Sequence, residues 1–256
     1  MLVRAVARPA RVAAQGLSQR FLSGGRPWRV QNARPWQSFG GGGGLGVLYG
    51  IMGTNFAVYA GWQMATTWSE KQFMANNFLM SRHGVFREVK VHTLVTHFFS
   101  HRDLYHLGAN MFSLYFFGSE ALLALGARRF LALYMGGGLT SAAATLFAPP
   151  LLSLLRRSLP DAPFNSGGLQ TSPFALSLGA SGAVSAVVVW GILLAPFRTI
   201  MIFPLPLPLP AWLVGAGFVG WDAYSAVGRP HSQTGHAAHL GGVAWGALAW
   251  GLWRRR

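Results

Sequence analysis

Long apolar segments constrain this chain more than any other feature of its sequence. Only 11% of the 256 residues are charged, whereas soluble domains carry about 25%. A helix needs about 20 mostly apolar residues to cross the hydrocarbon core of a bilayer. Six segments approach that length, so we expect an all-α membrane protein built as a bundle of six transmembrane helices. The expected spans are 46–66, 103–123, 128–150, 178–196, 211–226 and 236–253.

The start of the chain is basic and free of acidic residues. Seven arginines precede Glu70, the first acidic residue, in a chain with a formal net charge of +15. Arg4, Arg8 and Arg11 would share one face of a helix. This pattern is typical of a mitochondrial presequence, which we expect over residues 1–22, with cleavage after about Leu22. The alternative is a disordered basic arm on an anionic lipid surface. Nucleic-acid binding is not expected, because no basic patch with interleaved aromatic residues follows.

The rest of the chain divides into three parts. Residues 23–45 end in a run of glycines, which disfavours a helix, and we expect a flexible Gly-rich linker there. Residues 46–253 form the predicted six-span domain, and residues 254–256 are a basic tail. The proline run before residue 211 cannot be regular helix and shortens the fifth span. The chain has no cysteine, which excludes disulfides and thiol catalysis.

Polar residues inside the spans identify a candidate functional site, because such groups are costly in a bilayer and are usually functional. They fall in three places. The stretch HFFSHRDLYHLGAN contains His97, His101, His106 and Asn110, the stretch GASG contains Ser181, and the stretch GHAAHLGG contains His236 and His239. His106 and Asn110 are four residues apart and would share one helix face.

Three kinds of site could use these residues. In a zinc site, His97 and His101 would pair as in HExxH, but Phe98 stands where that motif needs its glutamate. A three-histidine zinc site stays an alternative. An ion or solute pathway would use intramembrane acids, for which the candidates are Asp103, Glu120 and Asp222. In nucleophilic catalysis, a histidine base would activate Ser181, and donors on a separate helix would stabilise an oxyanion. Of these three kinds of site, only nucleophilic catalysis gives a role to the polar residues of all three stretches.

Three separated motifs then make the family resemblance plain. HFFSHRDLYHLGAN, GASG and AHLGGVAWG occur in the order of the motifs of rhomboid intramembrane serine proteases, and the chain resembles that family over about residues 46–253. The resemblance implies a six-span rhomboid-like bundle with Ser181 as nucleophile and His239 as general base. It implies a serine–histidine dyad, which agrees with an expected lack of an acid near His239. No metal or organic cofactor is implied.

The resemblance also implies roles for the residues around this pair. His106, Asn110 and the backbone amide of Ser181 would stabilise the oxyanion. Gly179 and Gly182 would let the chain turn and let the sixth span approach. The remaining motif residues would be structural: His97 and His101 bracing the first loop, Glu120 anchoring a neighbouring loop, and Gly242 and Gly246 forming a small-residue face on the last helix.

The chain departs from the family pattern in two places. His92 and Thr93 stand where many relatives carry a Trp-Arg pair, which would weaken the first loop. Ser185 stands where an aromatic residue often follows the serine by one turn, which would leave His239 without a stacking partner.

Together these features predict a mitochondrial inner-membrane, multi-pass serine endopeptidase with its site facing the intermembrane space. Its partners would be the lipid bilayer and substrates with one transmembrane helix, which would enter sideways past a tilting fifth span. Residues 156–173 would let the fourth span begin deep in a water-filled cavity, and residues 225–236 would cap the site. The alternative is a rhomboid-like scaffold or chaperone that binds transmembrane helices without cutting them.

Overall fold

The computed structural model of the chain describes residues 45–158, 172–202, 207–228 and 235–253. The predicted presequence, its cleavage site, the glycine run and the basic tail lie outside these residues. So do most of the predicted loop after the third span and most of the predicted cap. These predictions are therefore not tested by the fold.

The described chain is mostly helical. Four of its helices begin and end within three residues of the expected spans 46–66, 178–196, 211–226 and 236–253. A short antiparallel hairpin precedes the third of these, with Thr199 paired to Pro210. The elements are α1 (Leu45–Met64), α2 (Trp68–Phe78), α3 (Arg82–Phe86), α4 (Thr93–Thr96), a 3-10 turn (His97–Phe99), α5 (Leu104–Ser158), α6 (Ser181–Leu194), β1 (Thr199–Ile202), β2 (Leu207–Pro210), α7 (Ala211–Gly228) and α8 (His236–Trp253).

Helix α5 covers both the second and the third expected spans, and it is broken at Gly126. That glycine has φ 74° and ψ 166°, a backbone conformation that glycine adopts readily and that residues with a side chain rarely adopt. The chain folds back there. The Phe130 ring lies 3.4 Å from where a Cβ of Gly118 would stand, although twelve residues of straight helix would span about 18 Å. We therefore treat α5 as a first arm, residues 104–125, and a second arm, residues 127–158.

Among the described residues, one helical stretch, Leu104–Leu151, is long and apolar enough to cross a membrane. This stretch contains both arms of α5 as far as Leu151. Helix α6 is also apolar but has only 14 residues. The count of six membrane crossings stays a prediction.

Helix α6 lies at the centre of the fold. It packs against both α5 and α8, and ten of its 14 residues are buried. A helix that is apolar on all sides belongs in a protein core or in a membrane, away from water. Buried side chains of α5 complete the same core, among them Leu107, Leu114 and Tyr134. Ser181 is thus the first residue of the most enclosed helix.

Glycines let α8 approach α6 at backbone distance. A Cβ on Gly242 would overlap the carbonyl oxygen of Gly182, and a Cβ on Gly246 would overlap that of Ala186. A Cβ on Gly182 would in turn overlap the Ser141 side chain. The predicted small-residue face of the last helix therefore packs on α6, and this contact sets the position of α8 relative to Ser181.

The segment between α1 and α5 is an ordered set of short helices. Thr67 and Glu70 form a reciprocal capping box at the start of α2, and the Ser81 side chain caps α3. Thr93 is buried, and its hydroxyl donates to the Lys90 carbonyl over 2.6 Å. Of the two residues that replace the Trp-Arg pair, Thr93 is thus part of the packed loop, whereas His92 is exposed.

Candidate active site

The structure brings Ser181 and His239 into hydrogen-bond contact. Ser181 begins α6 and His239 lies in the first turn of α8, yet Ser181 Oγ and His239 Nε2 are 2.9 Å apart. Both residues are half-buried. Neither helix could place this contact alone, because it depends on the close packing of α6 on α8.

The backbone before Ser181 is tied to the first loop. The Gly179 N–H donates to the His97 carbonyl over 3.0 Å, and the Ala180 N–H donates to His101 Nε2 over 3.3 Å. Gly179 has φ 116°, and a Cβ there would lie 2.6 Å from His106 Cε1. Only glycine fits both the conformation and the space. His97, His101 and Gly179 together hold the entry to α6 in one geometry.

The two bracing histidines are neutral at physiological pH. Burial lowers the pKa of His97 to about 4 and that of His101 to about 4, because desolvation penalises the charged ring. His97 Nδ1–H donates to the Thr93 carbonyl over 2.7 Å. His101 Nε2 must carry a free lone pair to accept from Ala180, so the neutral ring is the form that braces the loop.

An acid contacts His239, and the expectation that none is near it was wrong. Asp222 Oδ2 lies 3.0 Å from His239 Nδ1, and the Asp222 residue is 2% exposed. Its other oxygen, Oδ1, lies 2.6 Å from His236 Nδ1. The sequence identified Asp222 only as a candidate for an ion pathway. The contact escaped prediction because Asp222 is 17 residues from His239 and on a different helix.

His239 also has an aromatic neighbour, so the expectation that it lacks a stacking partner was wrong. The Phe218 ring of α7 stacks on the imidazole, with centroids 5.6 Å apart and planes 28° apart. Phe218 and Asp222 are four residues apart, so α7 presents both on one face. Ser185 Oγ instead donates to the Ser181 carbonyl over 2.7 Å. Helix α7 thus supplies the stacking partner that α6 lacks.

The predicted oxyanion residues lie on the first arm of α5. His106 reaches the loop before Ser181, against Gly179 and with its ring centroid 4.9 Å from that of His101. Asn110 is buried, and its Nδ2 donates one hydrogen bond to the His106 carbonyl over 2.8 Å. An amide Nδ2 carries two hydrogens, so a second donor remains.

Glu120 lies in another part of the fold. Its carboxylate forms an ion pair with Arg198, which follows α6 and precedes β1. The Arg198 guanidinium also lies over the Phe117 ring, 5.2 Å from its centroid. The pair links the first arm of α5 to the segment that leads into the hairpin.

Within the described residues, one group of three side chains could hold a metal ion, namely Asp222, His236 and His239. Their possible ligand atoms lie within 4.8 Å of one another. His97 and His101 are not in this group; each has one ring nitrogen hydrogen-bonded to backbone. In the group itself the carboxylate stands between two Nδ1 atoms at hydrogen-bond distance.

The geometry around Ser181 resembles that of an activated serine nucleophile. A serine hydroxyl becomes reactive when a neighbouring imidazole can take its proton, and the base must itself be oriented by a third group. Ser181, His239 and Asp222 stand in that order. This is the order of groups that nucleophilic acyl transfer requires.

Comparison with known proteins places this chain in a family. The rhomboid domain model matches residues 88–256, more than half of the chain. The chain is 33% identical over 210 residues to RHOMBOID-like protein 12, mitochondrial, of Arabidopsis thaliana, covering 82% of this chain and 59% of that protein. It is 31% identical over 202 residues to Rhomboid protein 1, mitochondrial, of Saccharomyces cerevisiae, covering 79% and 51% respectively. Both alignments thus cover less than two thirds of the relative's own length. The chain belongs to the rhomboid family.

Proposed function

We propose that this protein is an intramembrane serine endopeptidase that cleaves single-span membrane proteins. The observation that carries the proposal is the 2.9 Å contact between Ser181 Oγ and His239 Nε2. Family membership supports the reaction class, and the half-buried position of both groups allows a substrate to reach them.

The reaction begins with proton transfer from Ser181 to His239. Oγ attacks the scissile carbonyl carbon, and the negative charge moves to the carbonyl oxygen. Donors aimed at that oxygen lower the barrier, and the donors proposed for this role are the Ser181 N–H, the His106 ring and the second hydrogen of Asn110 Nδ2. His239 then gives its proton to the leaving amine, which frees the first product. A water molecule, deprotonated by the same imidazole, hydrolyses the acyl-enzyme and restores Ser181.

The substrate must be a helix that can unwind at the cut. An amide within a helix is shielded by its own hydrogen bonds, so we propose that Gly or Pro near the cleavage site favours hydrolysis. Hydrolysis also consumes water, which the bilayer core lacks. Ser181 would therefore face a cavity open to one aqueous side.

We place the protein in the mitochondrial inner membrane as a multi-pass protein whose site faces the intermembrane space. The basic, acid-free N-terminal segment supports this location, as do relatives whose names include "mitochondrial". A relative with a chloroplast name, Rhomboid-like protein 16, chloroplastic, of Arabidopsis thaliana, is 28% identical. Import of the full chain into isolated mitochondria, followed by protease protection, tests both membrane and orientation.

A fluorophosphonate probe, which reacts with activated serines, tests the proposal directly. Full-length protein in mild detergent is compared with Ser181→Ala and His239→Ala. We expect labelling of the wild type and loss in both variants. A folded wild type that takes no label, and that cuts no transmembrane substrate in liposomes, would overturn the proposal in favour of a helix-binding scaffold or chaperone.

A further inference from the structure

A buried carboxylate and two histidines form a compact set of possible metal ligands beside the candidate nucleophile. Asp222 lies between His236 and His239, with oxygen–Nδ1 distances of 2.6 Å and 3.0 Å. The possible ligand atoms of the three side chains all lie within 4.8 Å of one another. Ligand atoms around a tetrahedral zinc ion lie about 3.4 Å apart, given zinc bonds of about 2.0–2.2 Å. The side chains therefore need to move by only about 1 Å to close around such an ion.

The charge of this group favours a cation. Asp222 is 2% exposed, and within the described residues its carboxylate pairs with histidines and with no lysine or arginine. Neutral imidazoles leave its negative charge uncompensated, and an uncompensated charge among apolar helices is costly. A bound dication would offset this cost. Because two of the ligands are imidazole nitrogens, we expect Zn²⁺ rather than Mg²⁺ or Ca²⁺, which prefer oxygen ligands.

The contacts of His239 show what a metal ion would change. An ionised carboxylate can only accept, so Nδ1 carries the proton of the neutral ring. Nε2 then has a free lone pair and lies 2.9 Å from Ser181 Oγ. A metal ion on Nδ1 uses the lone pair of that atom, so the neutral ring holds its one proton on Nε2. Such a ring can donate to Ser181 Oγ but cannot take the serine proton.

We propose that Asp222, His236 and His239 form an inhibitory Zn²⁺ site, in which the ion binds the carboxylate and both Nδ1 atoms and so removes the base. The inhibition rests on the proposed function, whereas the binding of the ion does not. No covalent bond between heavy atoms changes: His239 gives up its Nδ1 proton to solvent, takes one on Nε2, and the serine keeps its own. Removal of Zn²⁺ restores the first tautomer, so the inhibition is reversible.

Serine labelling and substrate cleavage at buffered free Zn²⁺ test the proposal in the full-length protein in liposomes. We expect Zn²⁺ to stop both the reaction with a fluorophosphonate and the cleavage of a transmembrane substrate. EDTA should restore both activities. Mg²⁺ at the same concentration should have no effect, because the site offers too few oxygen ligands.

His236→Gln is the decisive variant, since glutamine can still donate to Asp222 but offers no imidazole nitrogen. The inhibition of each variant is taken relative to its own rate without metal. We expect the Zn²⁺ concentration for half-inhibition to rise by at least about 100-fold, because loss of even an outer-shell partner costs about 10- to 100-fold in metal affinity. His83→Gln is the matched control. His83 also pairs with a carboxylate, that of Glu88 at 3.4 Å, but it belongs to α3, so its replacement should leave the basal rate and the half-inhibition unchanged.

Two measurements detect the bound ion without relying on activity. Co²⁺ replaces Zn²⁺ in many sites and absorbs visible light when it is four-coordinate. It should bind Ser181→Ala as tightly as the wild type and bind His236→Gln far more weakly. Histidine 15N resonances report which ring nitrogen carries the proton, and Zn²⁺ should move the His239 proton from Nδ1 to Nε2.

Each remaining outcome bears on one proposal or the other. A folded protein that binds no Co²⁺, or inhibition that His236→Gln leaves unchanged, overturns the metal site. Activity that requires Zn²⁺ also overturns it, because the ion would then be a cofactor rather than an inhibitor. Co²⁺ binding by a wild type whose serine is never labelled, with or without EDTA, overturns the proposed function instead. If His236→Gln does not fold, the 15N resonances decide, and a His239 that keeps its Nδ1 proton in Zn²⁺ contradicts the inference.

Discussion

His101 has a structural task that only its neutral ring can perform. Its Nε2 accepts the Ala180 N–H, one residue before Ser181, and burial lowers its pKa to about 4. Protonation would replace the acceptor lone pair with a second donor facing an N–H group. The ring of His97 is buried as well, and its pKa is also lowered to about 4.

These two histidines predict that the fold loses stability in acid. Their folded-state pKa values lie below the unfolded value of 6.5, so between about pH 6.5 and pH 4 the unfolded chain binds more protons than the folded one. The free energy of unfolding therefore falls as the pH falls through this window. Each unit of pKa difference is worth about 1.4 kcal/mol.

Thermal unfolding in detergent at pH 7.0, 5.5 and 4.5 measures this loss. His101→Gln is the matched variant, because its side-chain oxygen can still accept from Ala180 but does not titrate. We expect its Tm to depend less on pH than that of the wild type. A wild-type Tm that is constant across the range would contradict the assignment of neutral, buried rings.

At the scale of elements, the α6–α8 contact determines whether Ser181 meets His239. The two helices touch through Gly182, Gly242 and Gly246, with no room for a Cβ on either glycine of α8. His239 precedes Gly242 by three residues and so lies almost directly above this contact on the same face. A small displacement of α8 would therefore lengthen the serine–histidine hydrogen bond.

Gly242→Ala is expected to abolish serine labelling while the chain still inserts in a membrane. One methyl group would overlap the Gly182 carbonyl, and overpacking of this kind costs about 1–3 kcal/mol. Gly251→Ala is the control on the same helix, since a Cβ there would meet nothing within 4 Å. Fluorophosphonate labelling and Tm are measured for both. Labelling of Gly242→Ala at the wild-type rate would show that α8 can shift without consequence.

The elements that sequence patterns predict well are those that depend on local composition. Apolar length predicted α1, α6, α7 and α8. Motif order singled out Ser181 and His239, whose side chains lie in hydrogen-bond contact. The break at Gly126 was expected as a gap between two spans. The partners of His239 could not be predicted in this way, because helical periodicity tells which residues share a face but not which helix that face meets. Phe218 and Asp222, four apart on a short apolar helix, were the available signal.

At the scale of the whole molecule, the Ser181–His239 pair and the groups that hold it come from four regions of the chain. The first loop braces the entry to α6, α6 carries Ser181, α8 carries His239, and α7 carries Phe218 and Asp222. The start of α7 is tied to the segment between α6 and β1, where the Ala211 N–H donates to the Arg198 carbonyl over 2.8 Å. Farther along, α7 exposes large apolar side chains, including Trp212, Trp221 and Tyr224. Outward movement of α7 would thus open the site sideways while also loosening the groups that hold His239.

A crosslink that holds α7 in place therefore distinguishes entry of the substrate helix from the reactivity of Ser181. The chain has no cysteine, so a disulfide between one cysteine on α7 and one on the first arm of α5 would be its only crosslink. We expect the oxidised form to lose cleavage of a transmembrane substrate while a small fluorophosphonate still labels Ser181, because only the helix needs lateral entry. Reduction should restore cleavage, and each single-cysteine variant should stay active throughout. Unchanged cleavage by the fully crosslinked protein would exclude entry between these two helices.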